Sequence, residues 1–161
     1  MAAPDLASLA QRLEPLGAAI SAGADMPVIR VAPDAVLATA QALKDELGFD
    51  LLVDVTAVDW MGEAERFEVV WHFYSTTQFA RVRMKTRVTD GEPTVDSLVP
   101  LFGSACYSER ECHEMYGIVF RGNADLRPIL LYEGFVGHPL RKDYPKHREQ
   151  PLVPYRERRG P

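Results

Sequence analysis

The segment RFEVVWHFYSTTQFARVRMKTRVT, residues 66–89, decides the fold of this chain. In its first half a large apolar residue occupies every second position, and in its second half apolar residues alternate with Arg and Lys. Because successive side chains of a β-strand point to opposite faces of a sheet, this period of two predicts two strands that share one buried face. The predicted buried face holds Phe67, Val69, Trp71, Phe73, Val82, Met84, Thr86 and Val88.

The sequence before this segment adds one more long strand and two helices. LLVDVTAVDW (51–60) is rich in β-branched residues, and the short connections MGEAE and TTQ let the three strands run as an antiparallel meander. Leucines at positions 6, 9, 13 and 16 predict an amphipathic helix that ends at Gly17. After a short strand in MPVIRVA, the segment 33–48 predicts a second helix between Pro33 and Gly48. The expected fold class is α+β, a mainly antiparallel sheet packed on one face by two helices.

The character of the chain changes after the third strand. We expect a sheet domain at 1–90, two short helices at 91–117 that complete it, and an extended Pro- and Gly-rich tail at 118–161. The tail is not of disordered composition, because it carries many apolar residues that need burial. They are Ile118, Val119, Phe120, Leu126, Ile129, Leu130, Leu131, Tyr132, Phe135 and Leu140. The predicted domain offers them little room, so we expect this tail to wrap a partner protein.

Composition limits the possible functions. Residues 138–161 carry seven Lys and Arg against three acids, a net charge of +4, whereas residues 1–137 carry −9. The acidic body disfavours nucleic acid as a partner. No apolar run approaches the roughly 20 residues that cross a bilayer, and the acidic N-terminus does not resemble a targeting peptide. The chain's two cysteines, Cys106 and Cys112, form no disulfide framework and are too few to hold an iron–sulfur cluster alone.

The segment SERECHEMYG (108–117) admits three interpretations. Its acids and His113 could bind a metal, but Glu109 with His113, or Glu111 with Glu114, supplies only two ligands on one helix face. Cys112 and His113 could form a nucleophile pair, but neighbours on a helix point about 100° apart. The third interpretation is a charged helix in which Ser108 and Glu111 form a capping box and Gly117 ends the helix.

A second charged cluster, GHPLRKDYP (137–145), is either a solvated turn or a rigid recognition segment. Prolines at both ends would hold Arg141, Lys142 and Asp143 in fixed geometry, and the planar guanidinium can bind a carboxylate with two hydrogen bonds. A pre-ordered segment loses less entropy on docking, which favours recognition.

The segment ERECHEMYGIVFRGNADLRPILLYEGFVGHPLRKDYP (109–145) strongly resembles the 30 kDa subunit family of respiratory complex I, the proton-translocating NADH:quinone oxidoreductase, in its bacterial form. The strands LLVDVTAVD and RFEVVWH are also similar to family segments, so that the resemblance covers about residues 33–145. The sequence departs from the family pattern at Asn123-Ala124, Pro128 and Cys106-Tyr107.

The resemblance implies a non-catalytic subunit of the hydrophilic arm, peripheral on the cytoplasmic face of the inner membrane. It implies docking on the 49 kDa subunit, near the cluster-bearing subunit of that arm, with FMN and iron–sulfur clusters in partner subunits and no cofactor in this chain. The implied interface comprises Glu109, Arg110, Glu111, Arg127, Phe135, His138, Pro139, Leu140, Arg141, Lys142, Asp143 and Tyr144. Two alternatives stay open: the equivalent subunit of a related membrane-bound hydrogenase or F420H2- or ferredoxin-dependent complex, and a stand-alone enzyme that uses the acids and His113.

Overall fold

The computed structural model describes residues 5–145 and residue 147. Three helices and seven strands follow one another along these residues, together with short 3-10 turns at Glu14–Leu16 and Pro33–Ala35. The helices are α1 (Leu6–Leu13), α2 (Val36–Asp45) and α3 (Ala105–Tyr116). The strands are β1 (Ala19–Ser21), β2 (Val28–Arg30), β3 (Leu51–Asp59), β4 (Phe67–Ser75), β5 (Ala80–Val88), β6 (Thr94–Asp96) and β7 (Val119–Arg121).

The main sheet has the strand order β1-β2-β5-β4-β3. Strands β3, β4 and β5 form the predicted antiparallel meander, and β2 joins the far side of β5 in parallel. The predicted α+β fold class is therefore confirmed. The register places Trp71 between Val55 and Met84, and all three side chains are buried.

The predicted inward face of the meander is confirmed. Phe67, Val69, Trp71 and Phe73 have no exposed surface, and Phe102 packs on Phe73 with ring centroids 5.5 Å apart. Full burial of each of these large side chains contributes about 1.5–3 kcal/mol to stability. These side chains make the sheet the centre of the core.

The region after β5 differs from its prediction. Instead of two short helices, it contains the strand β6, a series of turns and the single helix α3. Strand β7, which lies in the predicted irregular tail, pairs in parallel with β6. Both strands are only three residues long and their partners are distant in sequence, so neither shows the pattern of a local hairpin.

Helix α3 packs against β3 and begins at Ala105, not at Ser108. The predicted capping box between Ser108 and Glu111 is therefore wrong, because Ser108 already lies inside the helix. Ser104, at the N-cap position, donates its hydroxyl hydrogen to the carbonyl of Leu52 at 3.0 Å. Gly117 ends the helix as predicted, with φ +78° and its N–H bonded to the carbonyl of His113 at 2.7 Å.

Candidate docking strap and the Arg66 cluster

Residues 122–145, which follow β7 and contain no helix or strand, are called the strap below. The expectation that the whole apolar tail from residue 118 needs a partner is wrong for its first part. Ile118 and Phe120 are 0% and 1% exposed within the chain's own core, and Leu126 packs against the same core. The strap itself is ordered by contacts with α3 and with the end of the sheet, as follows.

Glu114 of α3 holds the middle of the strap. Its carboxylate accepts backbone N–H bonds from three consecutive residues, Ile129 at 3.1 Å and Leu130 and Leu131 at 2.9 Å each. Burial by itself raises the pKa of Glu114, but the bonds from Leu130, Leu131 and Ile129 outweigh burial and leave this pKa below its usual value. The ionised carboxylate is therefore the form that orders this turn.

Replacement of Glu114 by glutamine is expected to lower the free energy of unfolding by about 2 kcal/mol near neutral pH, because hydrogen bonds to charged groups contribute about 1.5–3 kcal/mol each. The folded pKa of Glu114 lies below its ordinary value of 4.5, so its contribution is present above that pH and is lost as the pH falls through the folded pKa. Denaturant unfolding at a series of pH values should show the difference from wild type shrinking in acid. Glu111→Gln, at an exposed position of the same helix, is the control and should change stability by less than about 0.5 kcal/mol. Equal losses in the two variants would contradict the role of Glu114.

Arg110 holds the strap just before this turn. Its guanidinium donates to the carbonyls of Arg127 at 2.9 Å and Pro128 at 3.1 Å, and its charged end covers the ring of Tyr107. Arg110 and Glu114 therefore bind the carbonyl and N–H groups of one continuous stretch of backbone, residues 127–131. Arg127 itself is exposed and pairs with Asp125 at 2.8 Å.

Glu109 faces the interior. It has no exposed surface, and its carboxylate accepts hydrogen bonds from the hydroxyl of Ser97 and the N–H of Leu98 at 2.7 Å and from the amide of Asn123 at 3.0 Å. Burial raises the pKa of Glu109, and these bonds offset only part of that effect. The prediction that Glu109 contacts a partner is wrong, because its enclosed side chain joins the turn after β6 to the start of the strap.

The end of the strap is held by a buried arginine of the sheet domain. Arg66 donates to both carboxylate oxygens of Asp59 at 2.9 and 2.8 Å, to Asp90 at 2.9 Å, and to Asp143 at 3.0 and 2.8 Å. Its side chain is only 9% exposed, and that of Asp59 only 2%. Hydrogen bonds from Arg66 lower the pKa of Asp59 and of Asp143 despite partial burial. We call Arg66, Asp59, Asp90, Asp143 and Arg141 the Arg66 cluster.

Backbone and side-chain bonds complete this attachment over residues 138–142. His138 bonds through Nδ1 to the carbonyl of Glu114 at 2.9 Å, and Leu140 donates its N–H to the carbonyl of Met115 at 3.2 Å. Arg141 donates to the carbonyl of Tyr116 at 2.6 Å and to Asp90 at 3.2 Å. The N–H of Lys142 reaches Asp59 at 2.8 Å. The C-terminal carbonyls of α3 and the acids of the sheet domain thus bind the strap.

Most charged residues of the predicted interface therefore make contacts inside the chain. Arg110, His138, Arg141 and Asp143 bind α3 or the sheet domain, and Phe135 stacks on Tyr144 at 6.0 Å between ring centroids. Glu111, Arg127, Leu140 and Lys142 are exposed, and Pro139 is half-buried. For these residues the interface stays a prediction. Lys146 and residues 148–161 of the predicted wrapping tail lie outside the described residues.

The sequence patterns missed Arg66, Asp59 and Asp90 as functional partners of the strap. Asp59 lies at the end of β3 and Arg66 at the facing start of β4, one on each side of the MGEAE connection. In the sequence, the only signal for this pair was a charged residue at the end of a buried strand. Nothing local links them to Asp143, which is 77 residues from Arg66. Only the folded chain brings these residues together.

Three of the residues proposed for metal or nucleophile chemistry are engaged elsewhere. Glu109 and Glu114 bind the turn after β6 and the strap, and His113 bonds through Nδ1 to the carbonyl of Ile118 at 2.8 Å. Cys112 is buried, and burial raises the pKa of its thiol. Residues 5–145 and 147 contain no group of three or more His, Cys, Asp or Glu arranged to hold a metal ion.

The strap exposes several apolar side chains. Leu130, Val136 and Leu140 are 62%, 60% and 51% exposed, and Ile129 and Tyr132 are 40% exposed. Glu114, Arg110 and the Arg66 cluster bind the backbone that carries these side chains. The positions of these side chains are therefore restrained. None of the helices among the described residues is long and apolar enough to cross a bilayer.

These features define a class of protein: a small α+β domain whose C-terminal strap is bound to the domain by its own charged side chains. The chain matches the family described as respiratory-chain NADH dehydrogenase, 30 Kd subunit, over residues 29–150. It belongs to that family, which confirms the predicted resemblance.

One relative agrees with this assignment, and two solved structures share the fold. The C subunit of the NADH-quinone oxidoreductase of Geotalea uraniireducens is 46% identical over 110 residues, which are 68% of this chain and 67% of that protein. The fold is shared with a trypsin-resistant fragment of Nqo5, at a TM-score of 0.65 and 24% identity over 75% of this chain and 98% of that one. It is also shared with a chain of the membrane-bound sulfane sulfur reductase, an archaeal respiratory membrane complex, at a TM-score of 0.77 and 24% identity over 88% and 85% of the two chains.

Proposed function

We propose that this chain is a non-catalytic structural subunit of the hydrophilic arm of a proton-translocating NADH:quinone oxidoreductase. Its strap docks on the 49 kDa-type subunit, close to the cluster-bearing subunit of the same arm. The observation that carries the proposal is the set of exposed apolar side chains on a strap whose backbone is already held in place. Several exposed apolar residues within one short segment are what an interaction site would supply.

The strap has two roles, and a different set of its side chains serves each role. The charged residues His138, Arg141 and Asp143 bind the chain's own domain, whereas Leu130 and Leu140 face outward. The partner therefore meets a preformed apolar surface, so that less conformational entropy is lost on docking than with a flexible tail. The charged residues of the family segment thus hold the backbone of the proposed interface in place.

The proposal also concerns cofactors and location. FMN and the iron–sulfur clusters reside in partner subunits, and this chain supports electron transfer from NADH to quinone by holding those subunits together. Of its two cysteines, Cys112 is enclosed in the core, and clusters take about four protein ligands. The chain reaches the cytoplasmic face of the inner membrane as a peripheral member of the complex, through its partners.

The double variant Leu130→Asp with Leu140→Asp tests the docking surface. Both side chains are more than half exposed, so the isolated chain should keep its stability within about 1 kcal/mol. Each buried charge should weaken docking, and every 1.4 kcal/mol lost is about a tenfold loss of affinity. We expect at least about a tenfold decrease in the amount of this chain that co-purifies with the 49 kDa-type partner.

Phe79→Asp provides the matched control. Phe79 is 61% exposed and has a φ of +53°, which an aspartate tolerates better than most residues. It lies at the opposite end of β4 from Arg66, about 30 Å away for a strand of this length. Normal assembly of the double variant, or an equal defect in the control, would refute docking through the strap.

A second candidate keeps the fold and changes the complex. The shared fold with a chain of the sulfane sulfur reductase is compatible with the equivalent subunit of a related membrane-bound hydrogenase or F420H2- or ferredoxin-dependent complex. Mass spectrometry of the native assembly separates the two candidates. NADH-binding flavoprotein subunits support the first, and a nickel–iron hydrogenase subunit supports the second.

A further inference from the structure

A small cavity opens between the end of α3 and the strap. Its volume is about 200 Å³, and its principal lining residues are His113, Leu126, Leu131, Tyr132, Phe135 and His138. Four of these residues supply apolar or aromatic walls, and the rings of Tyr132 and Phe135 meet edge to face at 5.5 Å between centroids. The cavity therefore forms a recess in the same strap that carries the exposed leucines.

The cavity matches the size of one side chain. An apolar cavity of about 150 Å³ is large enough to bind benzene, so the present volume suits a single aromatic ring with a polar substituent. Aromatic side chains that fill such pockets supply much of the energy of protein interfaces. A metabolite-sized ligand would need a larger space of about 300 Å³ or more.

The hydrogen bonds of the two histidines determine which ring nitrogen carries the proton. His113 and His138 each place Nδ1 against a backbone carbonyl, that of Ile118 at 2.8 Å and that of Glu114 at 2.9 Å. A carbonyl oxygen only accepts, so Nδ1 carries the proton on both rings and Nε2 of the neutral imidazole is an acceptor. The Nε2 of His113 has no hydrogen-bond partner within residues 5–145 and 147.

Glu114, the acid that lines the cavity, is already satisfied. Its two carboxylate oxygens receive the N–H groups of Ile129, Leu130 and Leu131. Nε2 of His138 lies beside Gly117, 2.6 Å from where a Cβ of that residue would be. We therefore take the imidazole of His113 as the acceptor for an occupant that supplies a hydrogen-bond donor.

We propose that this cavity receives one aromatic side chain with an N–H or O–H donor, a tryptophan or tyrosine, from the partner subunit that docks on the strap. The inference rests on the proposed function, because the occupant comes from the docking partner. Edge-to-face contacts with Tyr132 and Phe135 and a hydrogen bond to His113 would hold the ring. The exposed Leu130 and Leu140 would then lie around a buried anchor.

The cavity can be probed in the isolated full-length chain with indole and 1-methylindole, which differ in the N–H donor. We expect indole to shift the methyl resonances of Leu126 saturably, with a millimolar dissociation constant. A hydrogen bond contributes about 1 kcal/mol, so 1-methylindole should bind about fivefold more weakly. His113→Phe should remove this discrimination while both probes still bind.

Matched tryptophan variants test the location. Leu131 lines the cavity and Leu130 beside it is exposed, so Leu131→Trp should abolish indole binding and Leu130→Trp should preserve it. Absence of saturable binding in the wild type, equal affinity for the two probes, or unchanged binding in Leu131→Trp would overturn the inference.

The result can be separated from that of the docking experiment. If the double aspartate variant fails to assemble but indole does not bind, the strap docks and the cavity is not its anchor. If indole binds and the double variant assembles normally, docking through the strap is refuted. Occupation of the cavity by an aromatic side chain of the partner is then refuted as well. If indole binds and the double variant fails, Leu131→Trp should also reduce assembly at least fivefold, and normal assembly of that variant would refute occupation by the partner.

Discussion

Replacement of Arg66 by alanine is expected to lower the free energy of unfolding by about 3–5 kcal/mol, the usual cost of removing one partner from a buried ion pair. Asp59 would remain with only 2% of its side chain exposed and without its bidentate partner. Asp143 and Asp90 would lose their shared counter-charge, so residues 141–143 of the strap would be held to the sheet domain by fewer bonds, those of Arg141 to Asp90 and of Lys142 to Asp59. The variant therefore combines lower stability with a loosened strap.

Denaturant unfolding measures the first effect, and amide hydrogen exchange at Arg141 and Lys142 measures the second. Arg66→Lys keeps the charge but cannot form the planar, multiply bonded arrangement, so its loss should be intermediate. Arg81→Ala removes an exposed arginine of β5 and should change stability by less than about 0.5 kcal/mol. An Arg66→Ala variant as stable as Arg81→Ala, with unchanged exchange in the strap, would show that the cluster does not hold it.

Replacement of Gly117 by alanine is expected to destabilise the chain by about 2–4 kcal/mol, more than backbone strain alone would cause. Its φ of +78° is costly for any residue with a Cβ atom. The added methyl group would also lie 2.6 Å from Nε2 of His138 and 2.7 Å from a terminal nitrogen of Arg141. The side chains of His138 and Arg141, which bind the helix end, would have to shift, so assembly with the proposed 49 kDa-type partner should also fall.

Gly134→Ala isolates the backbone contribution. Gly134 lies in the strap with a φ of +89°, and a Cβ atom there meets no heavy atom within 4 Å. We expect a loss of about 1 kcal/mol from the left-handed conformation alone. Thermal or denaturant unfolding of both variants gives the difference, which reports the steric contact with His138 and Arg141. Equal losses would mean that the strap does not pack closely on the helix end.

The prediction of the fold succeeded where the signal was local. Strands β3, β4 and β5 follow one another through short connections, and the alternation in residues 66–89 specifies which face is buried. It failed for β6 and β7, because three-residue strands that pair over a distance of about two dozen residues leave no periodic pattern. The capping box failed because a matching spacing of Ser108 and Glu111 does not locate the start of a helix.

The candidate site was predicted only in part, for a similar reason. The family segment 109–145 drew attention to the charged residues, but their charge suggested that they faced a partner. Arg141 and Asp143 instead find Asp90 and Arg66, which lie more than 50 residues away in the sequence. The apolar residues of the tail also differ in their location. Phe120 is buried in the core, whereas Leu130 is exposed.

The sequence by itself determined the α+β class, the buried face of the meander, the end of α3 at Gly117 and membership of the 30 Kd subunit family, because each depends on residues close together in the chain. Tertiary structure alone decided which residues of the strap are exposed. That choice depends on a guanidinium at position 66 and a carboxylate at position 114, each of which forms its bonds with strap residues only once the sheet and α3 have packed together. Contacts between distant residues have no periodicity along the chain, and they determine where charge is satisfied and where apolar surface remains exposed.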